Sequence, residues 1–214
     1  MQPWTVEYGT LWVFETKDEL PPACPARIEA KFEEAGVAAV DELTAAMNLP
    51  TPEPVRERFR GNRRCFVLRI SGQIASYGWV THGLECVGEL ERRFHLHTNE
   101  AYIWDCGTVP AWRRQGLYSA LLSQLLARLH AEGLARIWIG ASRQNQPSIQ
   151  GFVNAGFKPV VDVTYRRLFR LSLLRIHRPY AARPALVKEA YRILVDDHER
   201  RLGQLAVGYQ NGKF

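Results

Sequence analysis

Apolar and polar residues follow two different periods along the chain, which predicts a protein of mixed strands and helices. Residues 4–14 are rich in aromatic and β-branched types, which favour strands. Residues 65–70 and 74–80 share this character around a Ser-Gly-Gln turn, so they predict a hairpin. Apolar residues three and four positions apart over 26–47 predict a helix, with a break near Gly36.

The second half of the chain carries the most regular pattern. Residues 101–109 predict a strand that Pro110 ends, since proline has no amide hydrogen to donate. A stripe of leucines then predicts a long helix, and Gly133 stands where such a helix would be capped. The later segments predict a buried strand, a helix, a strand and an amphipathic helix, in that order, at 135–140, 146–155, 158–174 and 184–202.

This order of elements predicts the fold class. A strand, a helix and a strand in succession are most simply joined by a right-handed crossover between parallel strands. The flanking hairpin implies antiparallel pairs as well. We therefore expect an α/β (α+β) fold in which a mixed central sheet has helices on both faces.

Composition narrows the class of protein without changing the fold prediction. Hydrophobic residues make up 46% of the 214 residues and charged residues 23%, as in ordinary folded domains. No apolar run approaches the roughly 18 residues that a membrane span needs, and the first residues lack the pattern of a signal peptide. We expect a cytoplasmic protein without a membrane span. The four cysteines show no CxxC spacing, so no metal site is predicted.

Charge is distributed unevenly along the chain. The net charge is +6, yet residues 1–48 carry nine acidic and three basic residues, whereas residues 101–214 carry seven acidic and seventeen basic ones. A basic half favours an anionic partner, such as nucleic acid, a lipid surface or a phosphate-bearing cofactor. Nucleic acid is the less favoured partner, because no RNA-binding motif of basic and aromatic residues accompanies the arginines.

The segment between the strand at 101–109 and the leucine-rich helix carries the strongest chemical signal. It contains Arg113 and Arg114, and Gly116 opens the helix. Amide groups at a helix start point outward with a partial positive charge, so they bind phosphate where glycine lets the anion approach. The segment contains neither a P-loop nor a dinucleotide-binding fingerprint. It predicts an anion site, with an ordinary surface turn as the alternative.

Residues after this loop complete a motif whose parts follow in a fixed order. The motif consists of Arg113-x-x-Gly116-x-Tyr118, then Asn145 and Ser148, then Gly156-Phe157. In its order, spacing and strand–helix context it resembles the GNAT superfamily of N-acyltransferases. The core of the resemblance covers about residues 100–160.

The resemblance implies a cofactor site. The sheet would be mostly antiparallel, with one parallel pair of strands that splay apart and hold the pantetheine arm of acetyl-CoA or another acyl-CoA. Main-chain groups of the first splayed strand would bind the arm, and amides of the loop would bind the pyrophosphate. The cofactor-binding residues implied in this way are Cys106, Thr108, Val109, Arg113, Arg114, Gln115, Gly116, Leu117, Tyr118, Asn145, Ser148 and Phe152.

The sequence departs from the family pattern at two of these positions. Phe152 stands where many members have a tyrosine that protonates the leaving thiolate, and phenylalanine has no proton to give. Tyr102, Tyr118, Cys106 or a water molecule are the alternative donors. Tyr118 itself occupies a position that is glycine or alanine in the family pattern.

The residue that takes the proton of the acceptor amine has two candidates. Where some members place a glutamate, this chain has Trp104, followed by Asp105. Strand alternation would put these two on opposite faces, but a bulge would shift the register. Asp105 is our first candidate for the base. His95 and His97 are the second, because histidine titrates near neutral pH.

These features predict an acyl-CoA-dependent N-acyltransferase, most simply an acetyltransferase, that passes the acyl group directly to a primary amine of a small molecule or peptide. The alternative is a CoA-binding sensor or scaffold with little or no catalysis. A nucleic-acid binder that uses the basic half is a third hypothesis. We assign residues 1–180 to the acyltransferase domain and 181–214 to a C-terminal helical extension, packed on it or in a homodimer interface.

Overall fold

An eight-stranded sheet lies at the centre of the computed structural model, which describes residues 4–87, 92–168, 171–177 and 182–195. The strands, of which the fifth and sixth form a separate pair, are β1 (Trp4–Glu15), β2 (Lys31–Ala35), β3 (Arg64–Ile70), β4 (Gln73–Thr81), β5 (Leu84–Val87), β6 (Arg92–His95), β7 (Glu100–Thr108), β8 (Arg136–Ser142), β9 (Lys158–Leu168) and β10 (Leu171–His177). The α-helices are α1 (Val40–Ala46), α2 (Glu53–Arg60), α3 (Leu117–Ala131), α4 (Gln146–Asn154) and α5 (Pro184–Leu194).

The strand order confirms the predicted fold class. The sheet runs β10-β9-β1-β8-β7-β4-β3-β2, and every neighbouring pair is antiparallel except β7 and β8, which α3 connects. Helices α3 and α4 cover one face of the sheet through a core that includes Trp12 and Phe14. Helix α5 covers the other face over Leu11 and Val13. Alternate residues of β1 therefore pack into two hydrophobic layers, one on each face of the sheet.

The helix predicted over 26–47 is wrong in its first half. Residues Lys31–Ala35 form β2, which pairs with β3, and the α-helix spans only Val40–Ala46. Phe32 of β2 stacks on Phe66 of β3 with ring centroids 5.7 Å apart, and glutamates of β2 form ion pairs with arginines of β3. These cross-strand contacts stabilise an extended backbone. They come from distant residues, so the local spacing of apolar positions gives no sign of them.

The C-terminal region differs from its prediction in two respects. The strand predicted over 158–174 is the antiparallel pair β9 and β10. The helix predicted over 184–202 is present as α5, and residues 196–214 lie outside the described part. Helix α5 packs on β6 and β9 through the buried residues Leu186, Val187, Ala190 and Ile193. The domain boundary near residue 180, the homodimer and the cytoplasmic location stay predictions.

The parallel pair opens into a cleft. Strands β7 and β8 stay in register only from Glu100 opposite Arg136 to Ile103 opposite Ile139. Beyond these residues β7 continues along β4 and β8 continues along β1, so the two strands diverge. The sheet therefore presents a gap between its central strands at the end from which α3 begins.

Candidate active site

A cleft of about 790 Å³ lies where β7 and β8 diverge. Strands β1, β7 and β8 supply most of its walls, and residues at the start of α3 and α4 and single residues of β5, β6, β9 and α5 supply the rest. Of the candidate residues predicted from sequence, those that line the cleft are Tyr102, Asp105, Cys106, Tyr118, Asn145 and Ser148. The end of β7, with Thr108, Val109 and the loop 113–117, continues from the cleft toward α3.

A β-bulge shapes the β7 wall of the cleft. Asp105 and Cys106 together oppose Gly78 of β4, and Asp105 adopts a left-handed backbone with φ of 42°. A Cβ atom at Gly78 would lie 2.9 Å from Cys106 Sγ, so glycine makes room for the bulge. The irregular backbone lets both Trp104 and Asp105 line the cleft. The register shift considered for Asp105 from sequence is therefore present.

The start of α3 has backbone amides that no side chain caps. Gly116 is the N-cap residue with φ of 74°, and no side chain caps the helix. The N–H of Arg27 donates to the carbonyl of Gln115 at 2.8 Å, which ties the loop to the segment before β2. Arg113 and Arg114 are exposed, and neither forms an ion pair with a carboxylate within the described residues. An uncapped helix start beside unpaired guanidinium groups is an arrangement that favours an anion.

Asn145 and Ser148 meet Tyr118 at one wall of the cleft. The side chain of Asn145 caps α4, because its Oδ1 accepts a hydrogen bond from the N–H of Ser148 at 3.2 Å. The side chain of Ser148 faces the hydroxyl of Tyr118. Burial raises the pKa of Tyr118 above its usual range, so its hydroxyl keeps its proton at neutral pH. Tyr118, Asn145 and Ser148, which belong to the motif identified in the sequence, therefore lie together on one surface of the cleft.

Phe152 lies in the core instead of on the cleft wall. Its side chain is 1% exposed and packs against Trp12 and Phe157, with ring centroids 5.8 and 6.0 Å away. Ser148 of α4 lines the cleft, whereas Phe152 points into the layer between the helices and the sheet. The side chain predicted to contact the cofactor therefore offers neither a hydroxyl nor an exposed surface.

An arginine that was missed in the sequence holds Asp105. Arg58 Nη1 lies 2.6 Å from Asp105 Oδ2. The same guanidinium group lies 5.0 Å from the ring centroid of Trp79 and 4.6 Å from that of Trp104, in a cation–π arrangement. Nothing in the basic sequence of α2 distinguishes Arg58 from its neighbours. Only the packing of α2 against the central strands identifies it.

A buried carboxylate, also missed in the sequence, lines the cleft near Trp104. Glu85 is 2% exposed, and Arg63 donates to its two oxygens at 2.7 and 3.0 Å. The hydroxyl of Thr81 donates to Glu85 and accepts a hydrogen bond from Trp104 Nε1 at 2.8 Å. The chain of contacts fixes the indole of Trp104 relative to the cleft. No local motif around Glu85 signals this role.

The two candidate histidines lie away from the cleft. Around the end of β6, Phe94 and Leu96 are buried, whereas His95 and His97 occupy the exposed side. His97 Nε2 is 3.6 Å from a carboxylate oxygen of Glu189 in α5. Strand alternation explains the outcome, because the side of this segment that carries Phe94 faces the cleft. Asp105 is the candidate base that the structure brings to the cleft.

A smaller hollow of about 440 Å³ adjoins the cleft. The two share Tyr8 of β1 and Val163 of β9 as lining residues. Asp162 is the one carboxylate of the hollow, and its basic side chains are Arg143, Arg166, Arg175 and His177. The hollow therefore has an excess of positive charge beside the mouth of the cleft.

Neither a membrane-spanning helix nor a metal cluster occurs among the described residues. No helix in the described ranges is long and apolar enough to cross a bilayer. No three histidine, cysteine, aspartate or glutamate side chains in these ranges lie together as metal ligands.

Comparison with known proteins agrees with the geometry of the cleft. A sequence model described as the acetyltransferase (GNAT) family matches residues 30–157, more than half of the chain. The chain belongs to the GNAT family. The match includes β2 to β8, α4 and the loop before α3, which are the elements that build most of the cleft. No curated protein matches the chain.

Solved structures of GNAT proteins show the same fold. A putative GNAT acetyltransferase from Novosphingobium aromaticivorans has 17% identity and a TM-score of 0.53, with 82% of this chain and 66% of that chain covered. A GNAT acetyltransferase from Colwellia psychrerythraea has 15% identity and a TM-score of 0.53, with 75% and 56% covered. A GCN5-related N-acetyltransferase from Sphaerobacter thermophilus has 16% identity and a TM-score of 0.55, with 83% and 54% covered. The chain thus spans between about half and two thirds of their lengths.

Proposed function

We propose that this GNAT chain is an acyl-CoA-dependent N-acyltransferase, most simply an acetyltransferase, that acts on a primary amine. The observation that carries the proposal is the junction between the cleft and the uncapped, arginine-flanked start of α3. A slender molecule with a diphosphate group suits this junction. Its arm would occupy the cleft, and its negative charge would meet the helix amides and the arginines.

The residues that would hold the acyl-CoA fall into two groups. Helix-start amides and guanidinium groups would bind the pyrophosphate, and they belong to Arg113, Arg114, Gln115, Gly116, Leu117 and Tyr118. The arm would lie against main-chain groups of Cys106, Thr108 and Val109, beside Asn145 and Ser148. An arm bound along the open edge of β7 would supply hydrogen bonds that β8 no longer makes.

The chemistry that these residues support is direct transfer. The bound acyl-CoA supplies an electrophilic thioester carbon, which the acceptor amine attacks. Asp105 takes the proton of the amine in this proposal, because its carboxylate lines the cleft. The ion pair of Asp105 Oδ2 with Arg58 fixes the carboxylate, and Oδ1 remains to accept the proton. Amides beside the bulge would stabilise the negative oxygen that forms on attack.

The acceptor proposed here is a small-molecule or peptide amine that also carries an anionic group. The support is the basic hollow at the mouth of the cleft, where Arg166 and Arg175 have no carboxylate partner within the described residues. A matched pair of acceptors tests this preference: glycylglycine and its C-terminal amide differ only in the terminal charge. The carboxylate form should have the lower KM, and an Arg166→Gln, Arg175→Gln variant should remove the difference.

The experiment that tests the proposed function is calorimetric titration with acetyl-CoA, followed by a screen of amines for thiol release. Wild type should bind with a micromolar Kd, and an Arg113→Ala, Gly116→Asp variant should lose at least a hundredfold in affinity. The matched control is Arg60→Ala, Gly133→Asp, which removes an exposed arginine and a glycine at φ of 79° elsewhere. No binding at millimolar acetyl-CoA would overturn the proposal.

A second candidate function is a CoA-binding sensor or scaffold without turnover. The burial of Phe152 favours it, since the position that holds a proton donor in many GNAT members has none here. Both candidates predict binding of acetyl-CoA. They differ in the amine screen, where the sensor releases no thiol above the rate without protein.

A further inference from the structure

Tyr118 occupies the part of the cleft wall next to α4, which the buried side chain of Phe152 does not reach. A Cβ atom on Gly151 of α4 would lie 2.5 and 2.6 Å from ring carbons of Tyr118, so the ring rests directly on the backbone of α4. Glycine inside a helix is about 0.5–1 kcal/mol less stable than alanine. The close approach of the ring explains why the position before Phe152 is nevertheless glycine.

The side chain of Tyr118 lines the cleft beside two polar side chains. It interacts with the side chain of Ser148 and lies within electrostatic range of the Cys106 thiol, and all three residues line the cleft. The phenol therefore projects from α3 onto the surface of α4. In this position it supplies a hydroxyl at a wall where the side chain of Phe152 supplies none.

We propose that Tyr118 is the proton donor to the leaving thiolate of CoA, an inference that rests on the proposed acyltransferase function. In the transfer step the amine nitrogen bonds to the acyl carbon, and the carbon–sulfur bond then breaks with its electron pair moving to sulfur. The proton of the Tyr118 hydroxyl passes to that sulfur, which gives the free CoA thiol. The proton that Asp105 removes from the amine returns through solvent to the phenolate.

Burial affects both partners of this proton transfer. It raises the pKa of Tyr118, so the donor is protonated at neutral pH. It also raises the pKa of the Cys106 thiol, which lies in the same wall. A CoA thiolate that forms beside these residues would be desolvated as well, so its pKa would rise together with that of the donor. General acid catalysis of this kind contributes about 10²–10⁴ to the rate.

The test replaces the hydroxyl alone. Tyr118→Phe keeps the ring on Gly151, so its Kd for acetyl-CoA by calorimetry should stay within about threefold, while kcat falls by about 100-fold or more. Tyr165→Phe is the matched control, because Tyr165 is buried in β9 outside the residues that line the cleft. Its kcat should equal that of wild type.

A second pair of variants tests the position of the ring. Gly151→Ala should displace the phenol and lower kcat in the presence of Tyr118, but it should have little effect in a Tyr118→Ala background. Circular dichroism and acetyl-CoA binding show whether each variant is folded. Additive effects of the two substitutions on kcat would contradict the proposed contact.

The remaining outcomes separate this inference from the proposed function. Wild-type kcat in Tyr118→Phe, or an increase of KM alone, overturns the role of Tyr118 and leaves the acyltransferase proposal intact. Loss of kcat in Tyr102→Phe with normal turnover in Tyr118→Phe also overturns it, because the donor is then another tyrosine of the cleft. A wild-type protein that binds acetyl-CoA but acylates no amine overturns both.

Discussion

Two parts of the cleft handle charge in opposite ways. The loop 113–117 at the start of α3 leaves two guanidinium groups without carboxylate partners and a helix start without a cap. The wall around Trp104 pairs each of its carboxylates, Asp105 with Arg58 and Glu85 with Arg63. Unpaired positive charge on a surface favours binding of an external anion. Paired charge holds side chains in fixed positions, which is what proton transfer needs.

The variant with the largest expected effect tests whether Asp105, in the wall around Trp104, takes part in the reaction. Asp105→Asn should lower kcat by about 100-fold or more with the best amine, because the amide cannot take the proton. The Kd for acetyl-CoA should stay within about threefold, since the loop at α3 is unchanged. Steady-state kinetics and calorimetry measure the two quantities, with Asp41→Asn in α1 as the control. An unchanged kcat removes Asp105 as the base.

The next effect concerns the stability that the paired charges provide. Glu85→Gln removes the buried carboxylate that accepts two hydrogen bonds from Arg63 and should lower the free energy of unfolding by about 3 kcal/mol, as breaking a buried pair does. Urea denaturation measures this change. Glu53→Gln breaks an exposed pair with Arg60 and should cost less than about 1 kcal/mol. Equal effects of the two variants would mean that the buried network contributes no special stability.

The smallest effect separates stability from binding within the loop. Arg114 has φ of 64°, a left-handed conformation that glycine adopts more easily. Arg114→Gly should therefore raise the free energy of unfolding by about 0.5–1 kcal/mol while weakening acetyl-CoA binding about tenfold through the lost charge. Urea denaturation and calorimetry measure the two changes.

Arg113 provides the control for this prediction. Its φ is −65°, so Arg113→Gly removes a charge from the same loop without relieving backbone strain. It should weaken binding and should not raise stability. A gain in stability in both glycine variants would show that charge repulsion, and not the backbone conformation of Arg114, destabilises the loop.

The features predicted well from sequence are those that neighbouring residues create. The strand at 101–109, the helix after Gly116 and the helix after Asn145 each depend on residues within a few positions of one another. Such local patterns are visible in a single sequence. The mixed sheet with one parallel pair followed from the order of these elements.

The features missed or placed elsewhere depend on packing between distant segments. Arg58 gains its position through Asp105 of β7, and Glu85 gains its position through Arg63 after α2 and Thr81 of β4. A helix was expected before Gly36, but residues Lys31–Ala35 form β2 because they pair with β3. His95 and His97 were named by chemical type, but strand alternation turns them away from the cleft.

The sequence by itself determined the family, the central strand–helix–strand unit and the loop with its arginines. Each of these features depends on the spacing of residues that lie close together along the chain. The tertiary structure decided which side chains share the cleft. A bulge opposite Gly78 brings Asp105 to the wall of the cleft, and Gly151 lets the ring of Tyr118 lie on α4. Phe152 packs in the core and is therefore absent from the cleft. These placements depend on backbone irregularities and close approaches between separate elements, and no spacing along one segment encodes them.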